Sequence, residues 1–451
     1  MRHIRRALIV SVLISAPLAA TAIAAPAGAG SALRFDKPVL LTPQSGFGGF
    51  EPSLIVDQQD NVWATAHRTY TPLSPDPGAA GGVRGASWLW MSKDGKTFTN
   101  PPGLTPTGEY QKNFGLEGDV ARDGAGHVYF IDLGPAEARF TAWKVDGPGQ
   151  ATALRTTPAL PVVLDDRPFV AAGGNGTVFV AVNNSAATRA RGGQYAFYVS
   201  RDGGATFGQG LPYTAAGSSF CRPHVSPRNP RLLTAVCTGE TPSPSVARQS
   251  LLAFTSTDAG ASWTRTVIRN DAGDSPGGFE IFPSLAEAPD GTLSVLHHQQ
   301  QYDPADTGRS GPMIGSKLMT YSTRDGGLSW SKPRDVTPEP GIWSQTSLSA
   351  APNGLLGLAG YYRPDTASPW TFRAATFRTS TRDIRSVPVA PGQVASLSSE
   401  LNPPGEFTQA AFDSRSKFKV IYAARELALP VLTGVENAKF GNTQVFYAQQ
   451  P

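Results

Sequence analysis

Ser200-Arg201-Asp202-Gly203-Gly204-Ala205-Thr206-Phe207 is a turn-forming stretch whose pattern, S/T-x-D-x-G-x-S/T-W/F, recurs along the chain. In such a turn the aspartate accepts hydrogen bonds from backbone N–H groups, a glycine adopts positive φ, and the aromatic side chain packs between strands. The pattern therefore predicts a turn after a β-strand, with a structural aspartate rather than a catalytic acid. Full copies also lie at 256–263 and 323–330, a shortened copy at 92–98 and a decayed copy at 381–383, so the predicted structural aspartates are Asp94, Asp202, Asp258 and Asp325.

A longer unit accompanies this turn. A small or proline-containing start leads into a short strand, and a turn with Asp, Asn or Gly joins it to a second apolar strand, as in Glu51-Pro52-Ser53-Leu54 followed by Asn61-Val62-Trp63-Ala64. Such units begin at 51, 117, 167, 222, 282, 345 and 408, so their spacing is 50 to 66 residues. This spacing predicts four-stranded blades of a β-propeller, seven in number, with six as the alternative if one copy is misread.

The composition favours the same all-β fold. The chain of 451 residues has 48 glycines, 39 prolines and only 16% charged residues, and its Val-, Thr-, Phe- and Tyr-rich runs are bounded by turn-forming residues. Runs of this kind are typical of strands joined by turns. The last unit has only three strands, whereas the stretch from Arg34 to Leu41 is a strand without a blade. We expect this N-terminal strand to complete the last blade and close the ring, because closure removes exposed strand edges.

The N-terminal residues have the pattern of a secretory signal peptide. Arginines precede an apolar run at 7–20, and Ala22-Ile23-Ala24 offers a cleavage site. We predict a signal peptide at 1–24, a flexible N-terminus at 25–32 and a single propeller domain at 33–451, in a protein that is secreted and extracellular. No later segment has the length to cross a bilayer, so we expect no membrane span after removal of the signal.

Export changes the meaning of the net charge. The formal net charge is +4, and removal of the three arginines in the signal peptide, which has no acid, leaves +1. There is no basic stripe with interleaved aromatics. We therefore expect no nucleic-acid partner. We also expect a monomer without a cofactor or a metal ion, and a structural calcium ion stays an open alternative because no ligand spacing is diagnostic.

The two cysteines, Cys221 and Cys237, flank a predicted hairpin whose turn lies at 227–230. The strands on either side of that turn would place the cysteines opposite each other. Because the chain is predicted to be exported, we expect one structural disulfide. A metal site would need further ligands nearby, and the local sequence offers none.

The repeated turn pattern resembles the Asp-box of the sialidase (BNR-repeat) superfamily of β-propellers. Three full copies in blade register carry the resemblance, which covers almost the whole mature chain. It implies that the aspartate turns lie on the face opposite the active site, and that ligands bind where inner strands begin and second strands end. Sialidases use three arginines on the sugar carboxylate, a tyrosine nucleophile with a glutamate partner, and an aspartic acid/base. Arginine suits this task because guanidinium pairs bidentately with carboxylate.

Only part of that catalytic set has a counterpart in this chain. Arg68 fits the place of one sialidase arginine, and Asp76 lies in the region of the acid/base. Glu51 stands where the family's first inner strand has an arginine, and Gln345 stands where it has the tyrosine. The predicted catalytic residues are Asp76, Glu280 and Tyr362, with Tyr362 approaching from the end of a neighbouring strand.

The other predicted site residues form a polar ring at the same mouth, where convergent charge is typical of a ligand site. Glu51, Glu117 and Glu280 are also candidates for an acid and a base, whose separation would decide between retention and inversion. The predicted substrate-binding residues are Glu51, Arg68, Glu117, Arg167, Arg222, His298 and Arg363.

Two functions fit these observations. One is a secreted carbohydrate-active protein, most simply a sialidase-like exo-glycoside hydrolase that acts on extracellular glycans or glycoconjugates. The other is a non-catalytic propeller that binds glycans or proteins at the cell surface, which would explain the absent arginine and tyrosine. The fold hosts both. An acid/base pair beside a deep pocket would indicate the enzyme, and a shallow surface would indicate the binding module.

Overall fold

Seven antiparallel β-sheets follow one another along the chain. Neither a helix nor a membrane-spanning helical segment occurs in the residues that this computed structural model describes. Those residues are 33–42, 47–70, 87–103, 117–133, 138–160, 166–183, 195–208, 211–212, 218–241, 248–269, 283–301, 314–390, 407–425 and 443–451.

Each sheet is one blade, and its strands are neighbours in sequence except in the last blade. The strands are β1 (Val39–Leu40), which belongs to blade 7; β2 (Phe47–Val56), β3 (Val62–Tyr70) and β4 (Trp88–Ser92) of blade 1; β5 (Glu117–Arg122), β6 (His127–Leu133), β7 (Ala138–Gly147) and β8 (Gln150–Leu160) of blade 2; β9 (Asp166–Ala172), β10 (Val178–Asn183), β11 (Tyr195–Ser200) and β12 (Leu211–Pro212) of blade 3; β13 (Ser218–Val225), β14 (Leu233–Thr241), β15 (Arg248–Ser256) and β16 (Thr264–Arg269) of blade 4; β17 (Ser284–Glu287), β18 (Leu293–Gln301), β19 (Gly315–Thr323) and β20 (Arg334–Asp335) of blade 5; β21 (Ile342–Ala350), β22 (Leu356–Arg363), β23 (Thr371–Phe377) and β24 (Val387–Pro388) of blade 6; and β25 (Gln409–Phe412), β26 (Phe418–Arg425) and β27 (Thr443–Gln449) of blade 7.

This architecture confirms the predicted all-β propeller with seven blades rather than six. Six sheets have four strands, and blade 1 has three strands among the described residues, with an isolated bridge between Met91 and Thr99 beyond its outer strand. The apolar cores lie between neighbouring blades, because side chains alternate between the two faces of a strand and each face meets the next blade. Trp63 of blade 1, for example, packs against Trp143 of blade 2 with ring centroids 5.6 Å apart.

The N-terminal strand closes the ring, as predicted. Val39 and Leu40 of β1 pair antiparallel with β27, so the outermost strand of blade 7 comes from the other end of the chain. The Leu41 N–H extends the pairing by donating to the Val445 carbonyl at 2.9 Å. Blade 7 is thus assembled from the first strand and the last three strands of the propeller domain. The predicted signal peptide (1–24) and flexible N-terminus (25–32) lie outside the described residues.

The up-and-down course of each blade separates two faces. Inner strands begin and second strands end on one face, which we call the mouth face. Inner and third strands end on the opposite face, which carries the turns at 92–98, 200–207, 256–263 and 323–330. We call these turns the aspartate turns and this face the aspartate-turn face.

The aspartate turns are held by their own side chains. Asp202 Oδ1 accepts hydrogen bonds from Ser200 Oγ at 2.7 Å and from the Thr206 N–H at 2.9 Å. Asp258 makes the same contacts with Ser256 and Ser262. The carboxylates are therefore engaged within the turns and lie at the end of the propeller that is opposite the mouth face.

The two cysteines form a disulfide, which confirms the predicted hairpin. Cys221 of β13 and Cys237 of β14 are directly paired in the antiparallel register, with their Cα atoms 4.0 Å apart. Both are fully buried in the core between blades 3 and 4. The cross-link therefore ties the inner strand of blade 4 to its second strand.

Candidate functional site

Two inner strands carry a strained residue near the mouth face. Glu51 in β2 and Gln345 in β21 have φ angles of 53° and 49°, in the left-handed region that residues other than glycine rarely adopt. Both lie in β-bulges, where the register of the inner strand on the second strand is interrupted. The other non-glycine residues with positive φ in the described chain lie in turns between strands. Because such strain costs about 1–3 kcal/mol and collects at functional sites, these two positions mark the mouth as the candidate site.

Glu51 forms a buried pair with a histidine. Its Oε2 lies 3.2 Å from His67 Nδ1, and the two residues are only 7% and 8% exposed. The His67 ring also lies 4.4 Å from the ring of Phe50, its partner in the β2–β3 register. A histidine beside a carboxylate can hold a proton or pass it on near neutral pH. The pair therefore offers the site a group that can exchange protons.

Two more carboxylates lie at the boundary between blades 1 and 2. Glu117 begins β5 and Asp132 lies near the end of β6, and both are buried. Asp132 accepts hydrogen bonds from Ser87, just before β4, through its N–H at 3.1 Å and its hydroxyl at 2.8 Å. This contact joins the two blades at the mouth face. We call Glu51, His67, Ser87, Glu117 and Asp132 the mouth cluster.

A direct contact between inner strands fixes the two glutamates on adjoining blades. Ser53 Oγ donates to Asp119 Oδ1 at 2.6 Å, from β2 to β5. Ser53 and Asp119 lie two residues beyond Glu51 and Glu117 along these strands. The glutamates therefore lie on neighbouring inner strands, on the mouth side of this contact.

Asp119 lies at the centre of the propeller. Its Oδ2 accepts the Val170 N–H at 2.9 Å, so its carboxyl group links the inner strands of blades 1, 2 and 3. Burial raises the pKa of Asp119, and the positive charge of Arg222 and the hydrogen bonds from Ser53 and Val170 oppose that rise. The Asp119 carboxyl group therefore stabilises the packing of three inner strands through buried hydrogen bonds.

Arg222 reaches the propeller axis from blade 4. Its guanidinium carbon lies 3.5 Å from the ring centroid of Phe169 in blade 3 and 5.3 Å from that of Phe407, just before blade 7. The two phenylalanine rings meet edge to face, with centroids 5.6 Å apart. The cation and the two rings therefore join the neighbouring blades 3 and 4 to blade 7 across the axis.

An axial cavity of about 310 Å³ lies beside this group. Inner-strand residues of all seven blades line it, from Asp119 and Arg222 in the middle of the strands to Gly124 and Pro227 in the turns of the aspartate-turn face. The structure thus places the predicted substrate-binding residue Arg222 in the axial cavity. Glu51 and Glu117 do not line that cavity.

Arg68 belongs to an aromatic stack at the blade 1 end of the mouth. Its guanidinium carbon lies 4.4 Å from the centroid of Trp88, which in turn stacks on Trp90 at 5.6 Å. Trp88 also donates its indole N–H to the Gly48 carbonyl. Trp90 is buried in the core between blades 7 and 1, and Trp88 packs against that core, so the stack holds the Arg68 cation in place at the mouth.

Three predicted site residues lie in blades 5 and 6 with protein partners. His298 hydrogen-bonds through Nε2 to the Thr346 hydroxyl. Arg363 is buried against Trp370, with the guanidinium carbon 4.4 Å from the ring centroid. The Tyr362 hydroxyl donates to the Pro340 carbonyl at 2.8 Å, and burial raises its pKa, which disfavours the phenolate that a nucleophile needs.

Other predicted site residues cannot be placed. Asp76 and Glu280 lie outside the described residues. The backbone of Arg167 is part of β9, but its side chain lies outside the described part of the chain. Among the residues that the structure describes, no group of three or more His, Cys, Asp or Glu side chains is arranged to hold a metal ion.

Sequence reasoning missed His67, Ser87 and Asp119. His67 adjoins Arg68 at the end of a second strand, which is the one signal that could have drawn attention to it. Ser87 and Asp119 look like ordinary strand residues in the sequence. Their roles depend on hydrogen bonds between blades, which no local pattern reveals.

Comparisons with known proteins agree with the fold. The chain matches no protein-family model and no curated protein, so membership of the sialidase superfamily is not shown. A protein of unknown function from Dyadobacter fermentans has 16% identity and a TM-score of 0.51, over 92% of this chain and 98% of that one. The α-L-arabinanase of Penicillium chrysogenum has 11% identity and a TM-score of 0.46, over 93% and 98%. The GH93 α-L-arabinofuranosidase of Fusarium graminearum has 15% identity and a TM-score of 0.46, over 77% and 98%. Likeness at these levels concerns the fold alone.

Proposed function

We propose that the protein is a secreted glycoside hydrolase that acts on extracellular glycans at the mouth face, with Glu51 and Glu117 as its reacting carboxyl groups. The observation that carries the proposal is the strained, buried Glu51, which is held 3.2 Å from His67 next to the strand that begins with Glu117. Glycoside hydrolysis uses two such carboxyl groups on opposite sides of the scissile bond.

The chemistry follows from two carboxyl groups and water. One carboxylic acid donates its proton to the glycosidic oxygen as the C–O bond breaks. The other carboxylate either takes a proton from the attacking water or bonds to the anomeric carbon and is later released by water. We assign the carboxylate role to Glu51, because His67 is the stronger base of the pair and takes up the proton, and we assign the acid role to Glu117.

The sialidase-like version of this proposal is narrower. Asp76 and Glu280 would serve it as acid/base and as partner of the nucleophile, and Tyr362 as the nucleophile. The hydrogen bond from Tyr362 to Pro340 and the raised pKa of Tyr362 do not favour that role. Glu51 would also face the sugar carboxylate at the place of a sialidase arginine. We therefore base the proposal on Glu51 and Glu117, with neutral glycosides as the first substrates to test.

Turnover by the purified mature protein tests the proposal. Aryl glycosides of pentoses, neutral hexoses, uronic acids and sialic acid form the panel, and Glu51→Gln is the variant. We expect turnover of at least one glycoside and a loss of about 10³-fold or more in kcat for Glu51→Gln, since removal of a general acid or base commonly costs 10²–10⁴-fold. Asp383→Asn, a change at an exposed carboxylate beside Arg385, is the control that keeps full activity. Equal rates for Glu51→Gln and the control would contradict the assignment.

A non-catalytic glycan-binding protein is the second candidate, and the Arg68 cation that Trp88 holds at the mouth favours it. In that case no glycoside of the panel is cleaved. A glycan array would nevertheless show binding, which Trp88→Ala abolishes and Glu51→Gln leaves intact.

A further inference from the structure

We propose that a groove between blades 5 and 6 on the aspartate-turn face is a binding site for an uncharged sugar. The groove has a volume of about 690 Å³, which lies within the range for small-molecule sites. Its walls come from the hairpin turns at 288–292 and 352–354, the first residues of β18 and the last residues of β19. Because it lies on the face opposite the mouth cluster, the site goes beyond the proposed hydrolase and does not depend on it.

The groove lies where blade 6 lacks an aromatic residue that other blades have. In those blades the aromatic residue of the aspartate turn packs against the preceding blade. Phe98 of blade 1 lies 5.2 Å from Tyr447 of blade 7, and Phe207 of blade 3 lies 5.3 Å from Phe140 of blade 2, between ring centroids. The corresponding turn of blade 6, at 378–386, has no aromatic residue. No ring from this turn therefore enters the space between blades 5 and 6.

Small polar side chains on blade 5 widen the same space. In blade 3, Phe179 and Val199 are paired one residue inside the aspartate turn, and Phe179 packs against Trp263 of blade 4. The corresponding pair in blade 5 is Ser294 and Ser322. Their hydroxyl oxygens lie 3.0 Å apart, and both residues line the groove. The boundary between blades 5 and 6 is therefore open and polar where the boundary between blades 3 and 4 is filled by aromatic rings.

The charges of the groove indicate an uncharged ligand. Among the described residues that line it, Arg324 and Asp290 are the charged ones. They pair with each other, with Nη2 and Oδ2 3.7 Å apart, and the Arg324 Nε–H donates to the Thr292 hydroxyl at 3.2 Å. One positive and one negative charge so close together give neither an anion nor a cation a net attraction.

The other lining groups match a ligand with many hydroxyl groups. Ser331, Asn353 and Thr379 line the groove and are exposed. Hydroxyl and carboxamide groups both donate and accept hydrogen bonds, as the hydroxyl groups of a sugar do. Pro289 and Pro352 add exposed apolar surface for the C–H groups of a sugar ring. The lining therefore combines the two kinds of contact that a neutral sugar makes.

Calorimetric titration of the mature protein tests this inference. The probes are thio-linked disaccharides of D-xylose, D-glucose and D-galactose, which a glycoside hydrolase does not cleave, so the result is independent of chemistry at the mouth. We expect at least one of them to bind, with an affinity that changes less than about twofold between low and high salt, because salt screens contacts between charges. Absence of binding by all three disaccharides would overturn the proposal, as would a larger dependence on salt.

Variants locate the site. Ser294→Phe introduces at this position of blade 5 the side chain that Phe179 supplies in blade 3, and it should remove one bound disaccharide per protein molecule. Thr264→Phe, at an exposed residue of β16, adds the same ring outside the groove and is the control that keeps the wild-type titration. Arg324→Ala, at an arginine side chain that is 82% exposed, should fold normally and weaken binding by about two- to tenfold, the effect of one lost hydrogen bond.

Two outcomes would refute the groove as the binding site. One is a titration of Ser294→Phe that equals that of Thr264→Phe, because the sugar would then bind elsewhere. The other is an unchanged affinity in Arg324→Ala, which applies even if Ser294→Phe does not fold. Ser294→Phe should leave any turnover of aryl glycosides at the mouth unchanged, so failure of this proposal and failure of the hydrolase proposal are distinguishable.

Discussion

The hydroxyl of Ser53 and the carboxyl group of Asp119 are joined by a 2.6 Å hydrogen bond across the boundary between blades 1 and 2. Both residues are buried in inner strands, and Asp119 passes the connection on to blade 3 through the Val170 N–H. Inner strands have one unpaired edge, which faces the axis. In this chain, side chains of neighbouring blades make hydrogen bonds to some of the backbone groups on that edge, in place of a further strand.

Loss of this contact should destabilise the propeller. We expect Ser53→Ala to lower the free energy of unfolding by about 1–3 kcal/mol, because the buried carboxyl group of Asp119 loses the hydrogen bond that the Ser53 hydroxyl donates to it. Urea unfolding followed by tryptophan fluorescence measures the change. Ser380→Ala, at an exposed serine, is the matched control and should be neutral. If both variants unfold at the same urea concentration, the contact contributes nothing measurable.

The left-handed backbone at Glu51 makes a distinctive prediction about substitutions. Glu51→Val should be less stable than Glu51→Gly by about 1–2 kcal/mol, because a β-branched side chain is strained at positive φ and glycine is not. Lys144, an exposed residue of β7, provides the opposite case. In an extended strand valine is favoured over glycine, so Lys144→Val should be the more stable of that pair. The same order at both positions would show that Glu51 is not strained.

The aspartate turns predict loss of stability in acid. Burial opposes the shift, but hydrogen bonds from Thr206 and Ser200 lower the pKa of Asp202 to about 2, below the value near 3.9 of an unfolded chain. A lowered pKa stabilises the fold fully above the unfolded value, and this contribution is lost as the pH falls towards the folded value. The melting temperature should therefore fall between about pH 4 and pH 2. Asp202→Asn should flatten that decline, and parallel curves for variant and wild type would contradict the prediction.

The disulfide predicts a measurable gain in stability. Cys221 and Cys237 are 16 residues apart, and closing a loop of that size stabilises a protein by about 3 kcal/mol. The double variant Cys221→Ala/Cys237→Ala should therefore unfold at lower urea concentration. A reductant should shift the wild type towards the double variant and leave the double variant unchanged. A reductant effect on both would point to a cause other than this cross-link.

The sequence was sufficient for the fold because the signals repeat. The turn at Asp202 and the hairpin that begins at Glu51 recur at blade spacing. A pattern that must fit seven sheets is compatible with few folds other than a propeller. The N-terminal strand at Val39 could be placed because the last blade lacks a fourth strand, and the disulfide could be predicted because a local hairpin sets Cys221 opposite Cys237.

The candidate site was less predictable, because its residues meet through contacts between distant segments. Nothing in the sequence near Arg222 indicates that its side chain lies between Phe169 and Phe407 on the axis. The bulges at Glu51 and Gln345 depend on backbone conformation, which residue types do not specify at these positions. Position along the repeat therefore located the mouth, whereas the partners of each side chain required the structure.

The pairing of β1 with β27 also sets an order of events during folding. β1 precedes all the other strands along the chain and β27 follows them, so the outermost strand of blade 7 finds its partner only after the six intervening blades have been synthesised. Contacts between residues so far apart in sequence form slowly, because a long loop must be closed first. Until that moment β1 has no partner strand. Chaperones that shield β-strand edges should therefore act longest on β1.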